Sequence, residues 1–425
     1  MNLVIVTHFF PPDGGPGSIR PHALATALHD LGHDVLVLTA CQTPIETAFE
    51  VVSVPYTRLG GHIKRLTTEG DNANLGEMAA RRGRLAGDAM RIVAHWTEAV
   101  FQHPDKYRGW VRAVERWWDK DGSLRVAPDA VIATTPPVSA ALAGVALARR
   151  WKTALLLDFR DLWTESPYYR FGRLRRILDR RAESRLVAAA NHLVAATEPL
   201  RRTLSAEHSR GDVRLIRTGV LPLPSAAVRP VGTAGGAMRV SHFGSMENWV
   251  RRDAGPVLLA GRSVVDRGEI EGSRLRFEFF GAVGEGLLQE IETAGVADLV
   301  KLHGKVPHER ALQELAASDI ALLLMWHGDL HSVPMKATEY LAGGKTVIVT
   351  GAAEDSEALR VLGGIEGVYF CNDQEAAEAV LLECWRRLST GESLDWPEVE
   401  RARPFLAGTM AKGFLDFIGA GLERS

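Results

Sequence analysis

The sequence has few cysteines and lacks the residue clusters that bind structural metals. Cys41, Cys371 and Cys384 are far apart in the 425-residue chain and form no CxxC or zinc-type spacing. This spacing argues against a disulfide framework and is typical of a reducing compartment. We therefore predict neither a disulfide scaffold nor a structural zinc site, and we expect no metal in the functional site.

Long apolar runs and an excess of charge of one sign are also missing. No stretch reaches the roughly 18 uninterrupted apolar residues of a membrane-spanning helix. The first ten residues are apolar but have no basic leader and no cleavage site, so they predict a β-strand instead of a signal peptide. The formal net charge of −2 gives no electrostatic case for a nucleic-acid partner. We expect a cytoplasmic protein.

The composition is that of a globular α/β protein with more than one domain. Hydrophobic residues make up 46% and charged residues 24% of the chain, which is ordinary for such proteins, and its length exceeds one typical core. Strand and helix patterns alternate along the chain on both sides of a Pro/Gly/Ala-rich stretch, residues 221–237. We predict a Rossmann-like domain over 1–222 with a helical insertion at about 60–125, a second over 237–403, and a helix over 404–425 that returns to the first.

The most informative stretch lies in the second domain, at residues 331–348. A strand-like run ending at Met325 is followed by a loop, a helix that opens at Pro334 and stops at Gly343, and another strand. In such a βαβ unit, ligands bind at the carboxyl ends of strands and phosphates bind at helix N-termini. The N–H groups around Ser332 to Met335 would face this ligand, with Lys336 on the first turn and Glu339 one turn further on. The alternative is an ordinary buried βαβ unit with Lys and Glu on its surface.

Two segments of the first domain are candidate sites because each follows a predicted strand. The Gly-rich loop with Gly14, Gly15 and Gly17 would let its backbone approach a diphosphate, although such a loop can equally form a simple turn. It lacks the third glycine of the dinucleotide-binding fingerprint. Asp158, Arg160 and Asp161 stand at the exit of another strand, where a site is expected. A structural Arg160–Asp161 pair is the alternative.

Basic residues and tryptophans alternate within the predicted insertion. Arg81 begins a helix-like segment that runs to Trp118 and includes Trp96, Trp110 and Trp117. Such an arrangement can lie at a membrane interface, or it can pack its aromatic rings on the domain. We therefore regard peripheral membrane contact through 81–118 as a hypothesis.

Several motifs, in this order along the chain, resemble glycosyltransferase family 4. In the first domain they are Phe9-Phe-Pro-Pro-Asp-Gly-Gly-Pro-Gly-Ser-Ile-Arg20, Gln102-His-Pro-Asp-Lys-Tyr-Arg-Gly-Trp110, Thr134-Thr-Pro-Pro-Val-Ser139 and Asp158-Phe-Arg-Asp-Leu-Trp163. In the second they are Phe243-Gly-Ser245, Phe280-Gly-Ala282, His303-Gly-Lys-Val-Pro307 and Val333-Pro-Met-Lys-Ala-Thr-Glu-Tyr-Leu-Ala342. The last three of the first-domain motifs resemble a branch of the family that acts in bacterial surface polysaccharide assembly.

The resemblance implies a fold and a reaction. The fold is GT-B, an α/β architecture of two Rossmann-like doubly wound parallel-sheet domains facing a cleft. The reaction is a retaining, metal-independent transfer of a sugar from a UDP- or GDP-sugar, without a cofactor. The implied acceptor is a glycan, a lipid-linked molecule or a small natural product, so the enzyme would work in the cytoplasm, near the inner face of the cell membrane.

The resemblance also implies roles for individual residues. The nucleotide base would lie near Gly281 and the backbone of Lys305 and Val306, and Glu339 would hold the ribose hydroxyls. The diphosphate would lie on the helix N-terminus at Ser332 and Val333. Its developing charge needs cations or N–H donors, for which the candidates are Arg251, Arg252 and Lys336. Residues Gly14 to Gly17 would close from the first domain.

This sequence departs from the family pattern at two informative positions. His331 stands where the first of two paired glutamates, the one that contacts the donor sugar, is expected. Ser245 follows the Phe-Gly turn where a basic residue is usual. His331 motivates two other hypotheses, an altered catalyst and a catalytically silent nucleotide-sugar-binding protein. A third hypothesis is a sugar-nucleotide epimerase of the same fold, in which Asp158 and Asp161 would act as acid and base.

Overall fold

The computed structural model describes residues 1–13, 15–56, 103–166, 169, 171–221, 236–246, 253–394 and 399–422. The chain divides into two compact units, Met1–Ile216 with Ala411–Ser425 and Arg217–Met410. Both are parallel α/β units, so the predicted fold class is confirmed. The first unit ends a few residues before the Pro/Gly/Ala-rich stretch at which the sequence placed the boundary.

The first unit is built on one parallel sheet. Its strands are β1 (Asn2–Val6), β2 (Asp34–Thr39), β3 (Glu50–Ser53), β4 (Ala130–Thr135), β5 (Ala154–Phe159), β6 (His192–Ala195) and β7 (Val213–Leu215). They lie in the order β3-β2-β1-β4-β5-β6-β7. The strand order reverses between β1 and β4, and doubly wound sheets bind ligands at the carboxyl ends of the strands flanking this point. The apolar strands form the core because helices cover both faces of a parallel sheet.

The described helices of this unit are α1 (Pro16–Asp30), α2 (Gly109–Lys120), α3 (Val138–Trp151), α4 (Arg173–Ala188) and α5 (Glu198–His208). Helix α2 carries three of the tryptophans considered for membrane contact. Trp110 is fully buried and donates its Nε1–H to the Val54 carbonyl at 3.0 Å. Trp118 packs edge-on against Trp151 at 4.8 Å between ring centroids, and Trp117 also packs against the core. The part of 81–118 before residue 103 lies outside the described residues.

The second unit has its own parallel sheet. Its strands are β8 (Met238–Phe243), β9 (Leu275–Phe280), β10 (Val300–Gly304), β11 (Ile320–Leu324), β12 (Thr346–Thr350) and β13 (Val368–Phe370). They lie in the order β10-β9-β8-β11-β12-β13, with the reversal between β8 and β11. The described helices are α6 (Gly255–Asp266), α7 (Glu285–Thr293), α8 (His308–Ala317), α9 (Met335–Ala342), α10 (Glu357–Leu362), α11 (Gln374–Ser389) and α12 (Val399–Ala402).

The last helix, α13 (Ala407–Leu422), passes from the second unit to the first. Ala411, Phe414 and Ile418 are buried, and the guanidinium of Arg20 in α1 lies 5.6 Å from the centre of the Phe414 ring. This spacing of three and four residues is the apolar stripe of a helix packed on a core. Among the described residues, no helix is long and apolar enough to cross a bilayer.

Candidate active site

Three turns at the carboxyl edge of the second sheet contact one another through their backbones. Gly244 donates its N–H to the Phe280 carbonyl at 2.7 Å, and Gly281 donates to the Gly304 carbonyl at 2.8 Å. The φ of Gly281 is +149°, and a Cβ added to it would lie 2.0 Å from the Gly244 carbonyl oxygen. Glycine is required here because any side chain would collide with backbone. The turns after β8, β9 and β10 therefore present continuous backbone at the ligand-binding edge.

Stacked aromatic rings support the carboxyl edge of the second sheet. Phe243 stacks on Phe280 with centroids 4.8 Å apart, and Phe280 stacks on His303 at 4.0 Å, with nearly parallel planes in both pairs. Tyr340 of α9 meets the Phe243 ring edge-on, and its hydroxyl accepts the backbone N–H of Phe243 at 3.3 Å. The stack fixes α9 relative to the three turns, because one ring belongs to the helix.

The predicted base-contacting residues lie at the end of this edge. Lys305 and Val306 directly follow β10. Lys305 is exposed, while Val306 is half-buried and packs against the apolar cluster beneath α9. The positions of Gly281, Lys305 and Val306 at neighbouring strand ends are consistent with one shared ligand pocket.

Lys336 brings a positive charge to the turn after β8. A Cβ added to Gly244 would lie 1.7 Å from the Lys336 Nζ, so the ammonium group occupies the space that a side chain at 244 would fill. Ser245, the next residue, is exposed. Since β8 and β11 flank the reversal of strand order, Lys336 lies at the point where this fold binds ligands.

Glu339 lies one turn further along α9 and is half-buried, with 15% of its side chain exposed. Burial raises the pKa of the Glu339 carboxyl, while the charges of His308 and Lys336 oppose that shift. His308 Nε2 is 3.8 Å from Oε1, a distance too long for a hydrogen bond. The carboxylate is thus desolvated and attracted to His308 and Lys336, an arrangement suited to accepting hydrogen bonds from a ligand.

The loop before α9 carries a carboxylate that the sequence reasoning overlooked. Asp329 accepts the backbone N–H groups of His331 and Ser332, both at 3.0 Å, and also the Ser332 hydroxyl. The N–H of Ser332 was predicted to face a diphosphate, but Asp329 holds it in this structure. The His331 side chain is exposed and Val333 packs partly into the core. Asp329 in this Asp-x-x-Ser spacing is a recognisable side-chain turn.

Three predicted site residues lie outside the described residues. They are Gly14 in the first unit and Arg251 and Arg252 in the second. The role of Arg251 or Arg252 at the diphosphate therefore stays a prediction from the sequence. Lys336 is the one cationic candidate for this role that the described residues include.

Asp158 in the first unit forms a buried ion pair. Its two carboxylate oxygens accept from Arg20 of α1, from Nη2 at 2.6 Å and from Nε at 2.9 Å, and both side chains are 1% exposed. Arg20 Nη2 also donates to the Ile216 carbonyl at 3.0 Å. Asp158 was predicted to be catalytic, but this bidentate burial favours a structural role. The signal was in the sequence, because Arg20 precedes Leu24 and Leu28 by four and eight residues on the apolar stripe of α1.

Arg160 holds the glycine-rich loop to the sheet. Its Nη1 donates to the Gly17 carbonyl at 2.6 Å, and its Nη2 donates to the Pro136 carbonyl. Burial lowers the pKa of the guanidinium, which the charges of Asp158 and Asp161 oppose. Gly15 adopts φ +51° just before α1, and Asp161 is exposed. Of the predicted first-unit residues, Arg160 and Gly17 are therefore in direct contact.

A histidine that was not predicted as a site residue pairs with a buried carboxylate of α4. His103 Nδ1 is 2.8 Å from Asp179 Oδ1, and the His103 side chain is 38% exposed whereas Asp179 is fully buried. Asp179 also accepts from Tyr169 and Arg175. The signal is weak in sequence, because His103 and Asp179 are 76 residues apart. Their proximity follows from the fold.

The described residues contain no group of three or more His, Cys, Asp or Glu side chains arranged to hold a metal ion.

The chain is similar to known proteins in sequence over its N-terminal half and in fold over its whole length. Residues 14–222 match a family model described as a glycosyl transferase 4-like domain. Sucrose-phosphate synthase from Thermosynechococcus elongatus has a similar structure, with a TM-score of 0.62 and 14% identity over 100% of both chains. HepE from Anabaena in complex with UDP gives 0.58 and 12%, covering 99% of this chain and all of that one.

A third similar structure is relevant to the epimerase hypothesis. A Listeria monocytogenes protein assigned as a UDP-N-acetylglucosamine 2-epimerase has a TM-score of 0.54 and 12% identity, over 100% of this chain and 97% of that one. At these identities the likeness concerns the fold. No curated protein sequence is significantly similar to the chain.

The two parallel sheets, each with a reversal of strand order, and the likeness to these structures over their full length define the fold class, which is GT-B. The match to a glycosyl transferase family model makes the protein a glycosyltransferase of this fold. Residues 14–222 match the glycosyl transferase 4-like family model, so the resemblance to glycosyltransferase family 4 inferred from the motifs is confirmed for this domain.

Proposed function

We propose that the protein transfers a sugar from a UDP- or GDP-sugar with retention of configuration and without a metal ion. The acceptor is a glycan, a lipid-linked molecule or a small natural product, and transfer takes place in the cytoplasm. The observation that carries the proposal is the placement of Lys336 over the Gly244 turn, with Glu339 one helical turn further on. HepE, a protein of the same fold, has been solved with UDP and with UDP-glucose.

The chemical argument concerns the leaving group. When the bond from the sugar to the diphosphate breaks, negative charge builds up on the diphosphate oxygens, and a preorganised cation lowers that barrier. Lys336 supplies this charge next to the exposed Ser245. Backbone N–H groups of the same edge add hydrogen bonds, and those of His331 and Ser332 become available when Asp329 releases them.

Glu339 anchors the nucleotide in this proposal. Its carboxylate accepts the two ribose hydroxyls, since ionised acceptors make stronger hydrogen bonds than neutral ones. The base lies beside Gly281 and the backbone of Lys305 and Val306. His331 lies on the exposed loop at the donor-sugar side and provides a neutral or cationic group where a glutamate is usual. The proposal therefore expects a donor preference different from that of enzymes with paired glutamates.

The deciding experiment is a donor screen with the full chain. Thermal shift with UDP, GDP, UDP-glucose, UDP-N-acetylglucosamine and GDP-mannose should identify one nucleotide that raises the melting temperature, because a bound ligand stabilises in proportion to its affinity. Nuclear magnetic resonance of the product then reads the anomeric configuration, and excess EDTA tests metal independence. Failure of every nucleotide sugar to bind would overturn the proposal.

The same screen separates transfer from epimerisation. An epimerase changes the sugar of its substrate without an added acceptor, and that product is visible in the same spectra. The structure weakens the argument for this alternative, because Asp158 is held by Arg20 in a buried pair and is not placed to move a proton. Binding of nucleotide without release or epimerisation, across a panel of acceptors, would instead favour a silent binding protein.

A further inference from the structure

Helix α4 of the first unit exposes its large aliphatic side chains. Leu174, Ile177 and Leu178 have 71%, 48% and 53% of their surface exposed. Their spacing of three and four residues places them on one face of the helix. In a typical surface helix this face would be buried. Here the N-terminal half of the helix presents it to solvent, so a patch of apolar surface is left uncovered.

The opposite face of α4 is polar and buried, which explains why the aliphatic face is exposed. Arg175, Asp179 and Glu183, four residues apart, are buried. Arg175 Nε lies 2.8 Å from Asp179 Oδ1, and Thr164 donates its hydroxyl to Glu183. The acidic residues of the helix are therefore turned inward and engaged. They contribute no negative charge to the exposed face.

Arginines surround the exposed aliphatic side chains. Arg173, Arg180, Arg181 and Arg185 of α4 are exposed. Arg180 forms an ion pair with Glu165, so one of the four charges has a nearby acid. The surface as a whole combines apolar side chains with an excess of positive charge. This combination matches a helix that lies in the plane of a membrane interface.

Aromatic residues that precede the helix contact its buried face. Tyr169 donates its hydroxyl to Asp179 at 2.7 Å, and the Arg175 guanidinium lies 4.7 Å from the centre of the Phe171 ring. These contacts tie the polar face of α4 to the segment before it, so the aliphatic face is the one that stays exposed.

We propose that this α4 surface, formed by Leu174, Ile177, Leu178 and the arginines around them, docks the protein on an anionic phospholipid bilayer. A bilayer satisfies both features at once, since its phosphates attract the guanidinium groups and its acyl region accepts the aliphatic side chains. The described tryptophans of α2 do not compete for this role, because they pack into the core. The inference is independent of which sugar the enzyme transfers.

The test is co-sedimentation of the full chain with vesicles. Binding is expected to vesicles of about 70% phosphatidylcholine and 30% phosphatidylglycerol, to weaken in high salt, and to be much lower on pure phosphatidylcholine. The triple variant L174S/I177S/L178S should reduce the partition coefficient by about tenfold or more, because each loses apolar area that enters the interface. The variant R173Q/R181Q should weaken binding to anionic vesicles and reduce its salt dependence.

A matched control comes from the second unit. Leu259, Leu288 and Leu302 are 40%, 49% and 42% exposed, and L259S/L288S/L302S should bind vesicles like the wild type. Equal partitioning of the two triple variants would overturn the proposal. Equal binding of the wild type to anionic and neutral vesicles would also overturn it. Absence of binding to either kind of vesicle would overturn it too, and would point instead to an acidic protein as the partner of this surface.

A labelled variant covers the case in which the triple variant folds poorly. All three native cysteines are buried, so L174C offers one reactive thiol for an environment-sensitive fluorophore. Its emission should shift to the blue on anionic vesicles, while the same label on L288C should not respond. A label at 174 that stays in water in the presence of these vesicles would overturn the proposal.

Discussion

The carboxyl edges of the two sheets hold their charged groups in different ways. In the first unit, Asp158 is bound by two hydrogen bonds from Arg20, and Arg160 is bound to the carbonyls of Gly17 and Pro136. These groups tie α1, the glycine-rich loop and the sheet together. Asp158 and Arg160 thus make their hydrogen bonds within the first unit.

In the second unit, the Glu339 carboxylate at the edge is less tightly held than Asp158. Glu339 is desolvated, and His308 Nε2 lies 3.8 Å from its Oε1. The Lys336 ammonium group occupies the space beside Gly244 that a side chain there would fill. Position at a strand end alone therefore does not distinguish a binding residue from a structural one. The hydrogen bonds and ion pairs that the residue already makes within the fold distinguish the two.

The largest expected effect is on the buried pair of the first unit. Asp158→Ala leaves the Arg20 guanidinium buried without its carboxylate, which should reduce stability by about 4 kcal/mol. Hydrogen exchange of peptides from β4 and β5 measures the loss. Peptides from β11 and β12 in the second unit serve as the internal reference.

Asp161 provides the matched control for that change. Asp161→Ala also removes one negative charge three residues away, but Asp161 is exposed, so we expect a change within about 0.5 kcal/mol. If Asp158→Ala left exchange of β4 and β5 unaltered while abolishing transfer, Asp158 would be a site residue and the contrast between the two edges would fail.

A second prediction concerns the buried carboxyl of Glu183, which also belongs to the framework of the first unit. Burial raises its pKa from its ordinary value near 4.5 to about 7. Between these values the folded chain keeps a proton that the unfolded chain releases, so stability should fall as pH rises through this window, by up to about 3 kcal/mol. Below pH 4.5 this contribution is fully present.

Glu183→Gln removes the titration while keeping an acceptor for the Thr164 hydroxyl. Melting temperatures between pH 4.5 and 8 should therefore decline less steeply in this variant than in the wild type. Glu207→Gln, at an exposed position on the neighbouring helix α5, should keep the wild-type slope. Parallel pH profiles for the wild type and Glu183→Gln would contradict the prediction.

A third prediction tests whether the glycine turns of the second unit form the nucleotide-binding edge. Gly281→Ala places a Cβ 2.0 Å from the Gly244 carbonyl oxygen, so the backbone must shift at a local cost of about 2 kcal/mol. Nucleotide binding should be lost with it. Exchange of peptides over residues 275–283 and thermal shift with the nucleotide identified in the screen measure the two effects.

Gly268→Ala separates backbone strain from the loss of the edge. Gly268 has φ +71° and open space around its Cβ position, so alanine there costs about 1 kcal/mol without a collision. Its nucleotide affinity should equal that of the wild type. Retained affinity in Gly281→Ala would show that the turns after β8 and β9 lie away from the nucleotide.

Sequence periodicity predicted the fold well because buried parallel strands are continuous apolar runs. The helix at Lys336 and Glu339 was placed correctly to within one residue, since Pro334 and Gly343 mark its ends. Partners distant in sequence were harder to predict. The Arg20–Asp158 pair spans 138 residues, and whether a carboxylate at a strand end faces a ligand or an arginine depends on packing that no local pattern encodes.

The smallest effect, on Glu339, distinguishes the two edges most directly. Glu339→Gln replaces a charge-assisted acceptor of the ribose hydroxyls by a neutral one, so the affinity for the nucleotide should fall about tenfold at pH 8. Because burial raises the pKa of Glu339, its carboxyl gains a proton at a higher pH than an ordinary glutamate, and the difference between wild type and variant should shrink as pH falls. Calorimetric titration at several pH values measures this difference in affinity. Protonation of the nucleotide affects both proteins equally and therefore cancels.

Glu309→Gln, the same change at an exposed position in the first turn of α8, should bind like the wild type throughout. Equal affinities for Glu339→Gln and the wild type at pH 8 would assign Glu339 to the framework, like Asp158, and remove it from the binding edge.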